Sequence, residues 1–242
     1  KAARRWGYFT KGIEINCAEI IVAEGNFHGR TTTIVGFSSE KEYKKGFGPF
    51  ADGFIEAEYC RTNCDCSKVC ENSIRSIKNA INNNTCAVIV EPIQGEGGII
   101  TPQSGWLKQL RELCNENNVL LILDEIQSGL GRTGKLFAFE HEDIKPDGLI
   151  LGKALGGGLL PVSAFLSSKE VMNHFNPGSH GSTFGGNPLA AKVASKALDL
   201  LFEDNLIENS KVMGAYLKEK LSEMNHSFIK EIRGKGLWIG VE

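Results

Sequence analysis

Three consecutive segments decide the fold: AVIVEPI at residues 87–93, SGWLKQLRELCNENN at residues 104–118, and VLLILD at residues 119–124. The first and third are short aliphatic runs that end in polar or turn residues, which is typical of strands buried on both faces. In the middle segment apolar residues recur at helical spacing, and asparagine and glutamate close its far end. This order of strand, helix and strand predicts neighbouring parallel strands of an α/β sheet.

Other aliphatic runs extend the predicted sheet. Residues 148–151 and 162–166 follow the first two strands along the chain, and residues 19–22 precede them. Since strands and helices alternate, we expect an α/β fold with a mostly parallel central sheet flanked by helices.

The pattern changes near the C-terminal end of the chain. Asn187 followed by Pro188 predicts the start of a long helix, because asparagine is a favoured N-cap and proline suits the first helical position. After Asp204 come an amphipathic helix and short strand-like runs interrupted by glycine. We predict a large domain over residues 1–204 and the start of a smaller α+β domain over residues 205–242.

Composition excludes several classes of protein. Lysine plus arginine number 27 and aspartate plus glutamate 29, which gives a formal net charge of −2. This balance offers no electrostatic basis for binding nucleic acid or an anionic membrane. The longest fully aliphatic run covers only residues 119–123, whereas a membrane-spanning helix needs about 20 apolar residues.

Seven cysteines, an odd number, argue against a disulfide framework and favour a reducing compartment, the cytoplasm or alternatively the mitochondrial matrix. Four of them crowd into the segment CRTNCDCSKVC at residues 60–70. Structural zinc sites pair cysteines two to four residues apart and separate the pairs by a long loop. Because this segment lacks a second pair, it predicts reduced thiols and no metal.

Chemically capable side chains follow three consecutive predicted strands. Glu91 ends the first strand, Asp124 and Gln127 follow the second, and Lys153 follows the third. The carboxyl ends of parallel strands form the edge at which open α/β sheets bind ligands. We therefore expect these four side chains to face one site.

The amine, the carboxylate and the amide suit one kind of chemistry. A partly desolvated Lys153 could attack a carbonyl and form a Schiff base, although a solvated loop lysine is the simpler interpretation. Asp124 could keep a pyridine nitrogen protonated, or it could be the N-cap of a helix that follows. Gln127 could contact the phenolic oxygen of the same ring. Together they form the set that pyridoxal phosphate chemistry requires.

Ordered blocks over essentially all 242 residues resemble the class III, fold type I, pyridoxal-phosphate-dependent aminotransferases. The blocks are KAARRWGY, NFHGRT, GFGPF, EPIQGEGG, LDEIQSGLGRTGK, LGKALGGG, PGSHGSTFGGNPLAA and RGKGLWIGVE. Within the class they are most similar to the ornithine-specific members. The resemblance implies transfer of the δ-amino group of L-ornithine to 2-oxoglutarate, giving glutamate 5-semialdehyde and glutamate. It also implies that family segments precede Lys1 and follow Glu242.

The resemblance implies a set of cofactor-binding residues. Lys153 would form the Schiff base with pyridoxal 5'-phosphate, and Asp124 would pair with its pyridine nitrogen. Gln127 would contact the phenolic oxygen and Phe27 would stack on the ring. Glu91 belongs to the same set.

The resemblance also implies contacts with substrate and with a second subunit. Arg30 would hold a substrate carboxylate, for which a guanidinium fork is well shaped. Glu96 would pair with a distant C-terminal arginine and uncover it when the dicarboxylate acceptor binds. Thr183, with Ser182 beside it, would bind the cofactor phosphate of the neighbouring subunit, which implies a homodimer with shared active sites.

Taken singly, these residues could also have purely structural roles, such as a surface ion pair for Arg30 and a core aromatic for Phe27. Acetylornithine and 4-aminobutyrate aminotransferases share most of the blocks, and a non-catalytic shortened paralogue would retain them too. Residues 129–134 also match the nicotinamide-binding pattern G-x-G-x-x-G. That pattern should turn directly from strand into helix, whereas here DEIQS intervenes, so we expect no dinucleotide site.

Overall fold

A computed structural model gives the structure of residues 1–61 and 67–242, with only the backbone described at residues 67–69. Six strands form one sheet in the order β2-β1-β3-β4-β5-β6. The first five along this order are parallel, and β6 is antiparallel to β5. The predicted α/β class with a mostly parallel sheet is confirmed. The strands are β1 Glu19–Ala23, β2 Phe54–Ala57, β3 Thr85–Val90, β4 Leu120–Asp124, β5 Gly148–Leu151 and β6 Ala164–Ser167.

Helices connect and cover these strands. The α-helices are α1 Ala2–Trp6, α2 Thr32–Gly36, α3 Lys41–Lys44, α4 Ser67–Ala80, α5 Trp106–Glu116, α6 Lys169–Met172, α7 Pro188–Glu203 and α8 Leu206–Glu223. A π-helix covers Gly7–Lys11, and short 3-10 helices cover Ala138–Glu142 and Lys153–Gly156. The predicted cap of α7 is present, because the Asn187 side chain accepts a hydrogen bond from the Ala190 amide at 2.8 Å.

Alternating strand residues fill two hydrophobic clusters, one on each face of the sheet. On one face Ile21 and Leu121 pack with Trp106 of α5. On the other face Ile20 and Ile122 belong to a cluster with Trp6 of α1. Both faces of the sheet are therefore buried, which explains why its strands carry continuous apolar runs instead of alternating ones.

Two features of the sheet differ from expectation. The apolar run at residues 162–166 predicted a further strand of a parallel sheet, but β6 runs antiparallel to β5. A parallel return needs a crossover, usually a helix, and the connection between these strands contains only the one-turn 3-10 helix Lys153–Gly156. Strand β2 was not predicted, because it lies at the edge of the sheet, is mostly half-buried, and its sequence FIEA lacks an apolar run.

The C-terminal residues form α8 and a hairpin of β7 Ile232–Lys235 and β8 Trp238–Val241. This unit packs closely on the sheet domain, because the Ser210 hydroxyl of α8 donates to the Arg132 carbonyl at 2.9 Å. Gly214 allows α8 to approach the hairpin turn, where a Cβ atom would overlap the Gly236 carbonyl. The assignment of residues 205–242 to a separate smaller domain stays a prediction.

The cysteines differ from expectation at one pair. Cys60 and Cys70 form a disulfide, with Cα atoms 4.7 Å apart, so the prediction of reduced thiols is wrong for these two. The reason is spatial, since α4 places Cys70 beside the chain that leaves β2. Cys64 and Cys66, for which reduced thiols were also predicted, lie outside the described residues. Free thiols within the described part of the chain are Cys17, Cys86 and Cys114.

The described residues contain no candidate metal cluster and no candidate membrane-spanning helix. In the ranges 1–61 and 67–242, no group of three or more histidine, cysteine, aspartate or glutamate side chains is arranged to hold a metal ion. Within those same ranges, none of the helices combines the length and apolar character that crossing a membrane requires.

Candidate active site

The carboxyl ends of β3, β4 and β5 place the predicted residues along one edge of the sheet. Glu91 directly follows β3, and Asp124 is the last residue of β4. Asp124 is paired with Ile150 of β5, and Lys153 comes two residues after that strand ends. The parallel register of the strands therefore creates this arrangement.

Asp124 has a fixed, buried carboxylate. Its side chain is only 5% exposed, and its Oδ2 atom lies 2.7 Å from Nδ1 of His28. Its Oδ1 atom accepts a hydrogen bond from the Ile126 amide at 3.0 Å. This contact caps a turn, because residues 126–130 form turns and not the helix that an N-cap would begin, while the second oxygen is held by an imidazole.

His28 is a site residue that the sequence analysis missed. Its side chain is 4% exposed, and its Nε2 atom is buried without a hydrogen-bond partner among the described residues. A buried imidazole beside a buried carboxylate fixes the orientation of both groups. The sequence feature that could have identified His28 is its position between Phe27 and Arg30 in the block NFHGRT.

Glu91 ties two loops together through backbone amides. Its Oε2 atom accepts from the Phe27 amide at 3.0 Å, and its Oε1 atom accepts from the Gly95 amide at 3.1 Å. Burial raises the pKa of this carboxyl to about 7, although His28 and the two amides act in the opposite direction. Both oxygens are engaged by the protein, so Glu91 positions the segment that carries Phe27.

The loop after Glu91 lies against Gln127. A Cβ atom at Gly95 would come 2.5 Å from Nε2 of Gln127, so a larger residue at this position would force the Gln127 amide to move. Gln94 and Ile100 close the loop with an antiparallel bridge. Glu96, at the tip of the loop, is exposed.

Arg30 packs against two aromatic rings. Its Cζ atom lies 3.7 Å from the centroid of the Tyr43 ring and 5.4 Å from that of Phe27. The rings of Phe27 and Tyr43 meet edge to face, with centroids 5.9 Å apart and planes at 78°. Tyr43 is the second site residue that the sequence analysis missed, because nothing in the segment KEYKK distinguishes it from a surface tyrosine.

Lys153 begins a 3-10 helix and adopts a left-handed backbone conformation with φ of 42°. Non-glycine residues adopt this conformation rarely, and the cost is of order 1–3 kcal/mol. The side chain is exposed and lines a cavity of about 820 Å³ together with Ser182 and Phe184. Thr183 is exposed between the latter two residues.

The structure therefore brings the predicted residues together in two groups. Phe27, Glu91, Asp124 and Gln127 are linked through His28 and the loop around Gly95. Lys153 and Ser182 share the cavity, and the pairing of β4 with β5 connects the two groups. Arg30 lies on Phe27 at the border of the first group.

The glycine pattern at residues 129–134 does not turn directly from strand into helix, as the nicotinamide-binding pattern should. These residues form turns, and the next regular element is the 3-10 helix Ala138–Glu142. The fully buried Glu125 carboxylate holds that element by accepting from the amides of Ala138 at 2.7 Å and Phe139 at 2.9 Å. Burial raises the pKa of Glu125 to about 7, against the effect of these hydrogen bonds.

Comparison with known proteins identifies one family. The family "Aminotransferase class-III" matches residues 1–242. Ornithine aminotransferase from Brevibacillus brevis is 55% identical over the whole chain, which spans 58% of that relative's length. A solved ornithine aminotransferase from Toxoplasma gondii, with partial occupancy of PLP at its active site, has a TM-score of 0.92 and 42% identity, and the chain covers 55% of it. Acetylornithine aminotransferase from Elizabethkingia anophelis has a TM-score of 0.79 and 40% identity over 98% of this chain and 54% of its own.

Proposed function

The chain belongs to the class-III aminotransferases, and on that premise we propose that the protein transfers the δ-amino group of L-ornithine to 2-oxoglutarate. The products are glutamate 5-semialdehyde, which cyclises, and glutamate. One observation carries the proposal: the buried Asp124 carboxylate ends β4, next to the strand that leads to Lys153. The 55% identity to a bacterial ornithine aminotransferase supports ornithine as the amino donor.

The Lys153 amine and the Asp124 carboxylate suit pyridoxal 5'-phosphate as the cofactor. An exposed lysine on a cavity supplies the amine that attaches a carbonyl cofactor. A carboxylate that is 5% exposed and already oriented by His28 suits a protonated pyridine nitrogen. When bound, this cofactor supplies an electron sink for the carbanion formed next to the amino group.

Each residue then has a defined task. The Lys153 amine takes the proton from the δ-carbon of ornithine as general base. Asp124 would hold the proton on the pyridine nitrogen of the cofactor, and Gln127 would donate a hydrogen bond from its amide to the phenolic oxygen. Phe27 would stack on the cofactor ring, and Glu91 holds the Phe27 segment in place by accepting a hydrogen bond from the Phe27 backbone amide.

The substrate contacts belong to Arg30 and Glu96. Arg30 binds a substrate carboxylate through its guanidinium fork. Glu96 is exposed at the tip of its loop, which leaves it available to pair with an arginine and to release it when a dicarboxylate binds.

We also propose a homodimer in which Ser182 and Thr183 bind the cofactor phosphate of the other subunit. The support is that both residues are exposed and that Leu159 and Phe184, at the same cavity, are 83% and 81% exposed. Large apolar side chains at such exposure are typical of a surface that another chain covers. Light scattering should give about twice the chain mass of 26.4 kDa, and a monomer mass for the cofactor-loaded protein would contradict the dimer.

A substrate panel tests the proposed activity. The cofactor-loaded protein is assayed with ornithine, acetylornithine and 4-aminobutyrate as donors and 2-oxoglutarate as acceptor. We expect kcat/KM to be highest for ornithine, with formation of the cyclised semialdehyde. A preference for acetylornithine or 4-aminobutyrate would move the protein to another branch of the class, and no turnover with any donor would favour a non-catalytic role.

The cytoplasm stays the prediction for the compartment. The free thiols of Cys17, Cys86 and Cys114 fit a reducing environment. The disulfide between Cys60 and Cys70 is not expected in such an environment.

A further inference from the structure

The guanidinium of Arg30 contacts an aromatic ring but no carboxylate of the described residues. Its guanidinium lies 3.7 Å from the centroid of Tyr43, within the range of a cation–π contact. Within residues 1–61 and 67–242, Arg30 has no hydrogen bond or ion pair with the protein, so no carboxylate of the described chain neutralises it. Among the described residues, the contacts of the guanidinium are with the aromatic rings of Tyr43 and Phe27.

This arrangement leaves the donor edge of the guanidinium available. A cation–π contact uses the ring quadrupole to attract the cation, whereas a carboxylate accepts two parallel N–H bonds in the guanidinium plane. The two contacts do not compete for the same atoms. An aromatic ring can therefore fix the guanidinium without consuming the donors that a substrate carboxylate needs.

Tyr43 is placed to act through its ring. It belongs to α3 Lys41–Lys44 and is half-buried. Its hydroxyl makes no hydrogen bond with the described part of the chain, while its ring meets both Phe27 and Arg30. Glu91 accepts a hydrogen bond from the backbone amide of Phe27, so the chain that carries the Phe27 ring is anchored beside Tyr43.

We propose that Tyr43 is a positioning residue whose ring holds the Arg30 guanidinium in place for a substrate carboxylate. Tyr43 thereby sets the affinity for acid-bearing substrates and has no part in the proton transfer. The inference rests on the role proposed above for Arg30 and names a residue on which that role depends.

The test compares two substitutions at position 43. Tyr43→Leu removes the ring, so the KM for 2-oxoglutarate should rise about threefold, as expected for a cation–π contact at an exposed site, with little change in kcat. Tyr43→Phe keeps the ring and should restore the original KM. The dissociation constant of glutarate, an unreactive dicarboxylate, should rise in parallel when calorimetry measures it on the cofactor-loaded protein.

Matched controls separate a local effect from a general one. Tyr216→Leu removes a second tyrosine whose ring contacts a cation, since Lys220 lies 5.7 Å from the exposed Tyr216 ring, and it should leave the KM unchanged. Pentanal, an acceptor without a carboxylate, should react equally with the parent protein and with Tyr43→Leu. An unchanged glutarate affinity in Tyr43→Leu, or an equal loss in Tyr43→Phe, would overturn the proposal.

Arg30→Gln distinguishes this inference from the role it rests on. If Arg30→Gln leaves glutarate binding intact, the proposed role of Arg30 itself fails. If Arg30→Gln weakens binding but Tyr43→Leu does not, only the positioning role of Tyr43 fails. In a double-mutant cycle, Tyr43→Leu should have no further effect once Arg30 is replaced.

Discussion

Lys153→Ala is expected to abolish transamination, with kcat lowered at least about 10⁴-fold. The substitution removes both the amine that attaches the cofactor and the general base, and loss of a positioned base alone is worth up to about 10⁴-fold. Because Lys153 is exposed and begins a one-turn helix, the fold should be retained. Steady-state assays with ornithine and 2-oxoglutarate measure the activity, and circular dichroism measures the fold.

A chemical readout tests the same lysine independently of turnover. The protein is incubated with pyridoxal phosphate, reduced with borohydride and digested, and phosphopyridoxyl peptides are mapped. We expect one adduct, on Lys153, and none in Lys153→Ala. Lys145→Ala is the matched control, because Lys145 is also exposed but precedes β5 at the opposite edge of the sheet. Labelling scattered over surface lysines, or persistent activity in Lys153→Ala, would remove Lys153 from its proposed role.

Asp124→Asn should give the second-largest loss, about 10²- to 10³-fold in kcat. The amide keeps nearly the same shape and can still accept from the Ile126 amide. It removes the negative charge that would hold the pyridine nitrogen protonated, and loss of one preorganised electrostatic group commonly costs this much. Steady-state kcat and the absorption spectrum of the bound cofactor would both report the change.

Two further variants define what the Asp124 result means. His28→Phe should cause a smaller loss, because it removes the imidazole that orients the carboxylate but keeps the charge. Asp199→Asn, at an exposed position of α7, should have no effect. If Asp124→Asn retained the parent kcat and spectrum, the carboxylate would have only its capping role.

The sheet and its functional edge could be predicted because buried parallel strands have a strong local signature. VLLILD at residues 119–124 is apolar until its last residue, and that residue is Asp124. The strand β4 ends at the same position. The strand pattern and the chemistry at its end were therefore contained in the same six residues, and the comparisons then confirmed the family.

The remaining features depend on how separate segments of the chain pack against each other. The pairing of His28 with Asp124 joins residues 96 positions apart, and no local pattern encodes it. The same applies to the stacking of Tyr43 on Arg30 and to the disulfide between Cys60 and Cys70. The direction of β6 likewise depends on how the chain turns after Lys153 and not on the apolar character of the strand.

The left-handed backbone of Lys153 has a consequence for protein engineering. Glycine adopts this conformation without steric cost. Replacing Lys153 with glycine therefore removes a local backbone strain from the folded chain. A library screened for heat resistance alone would enrich such variants and would lose the amine with them. Screens for a more durable catalyst must therefore select for retained chemistry in every round, since the most stable residue at this position and the useful one differ.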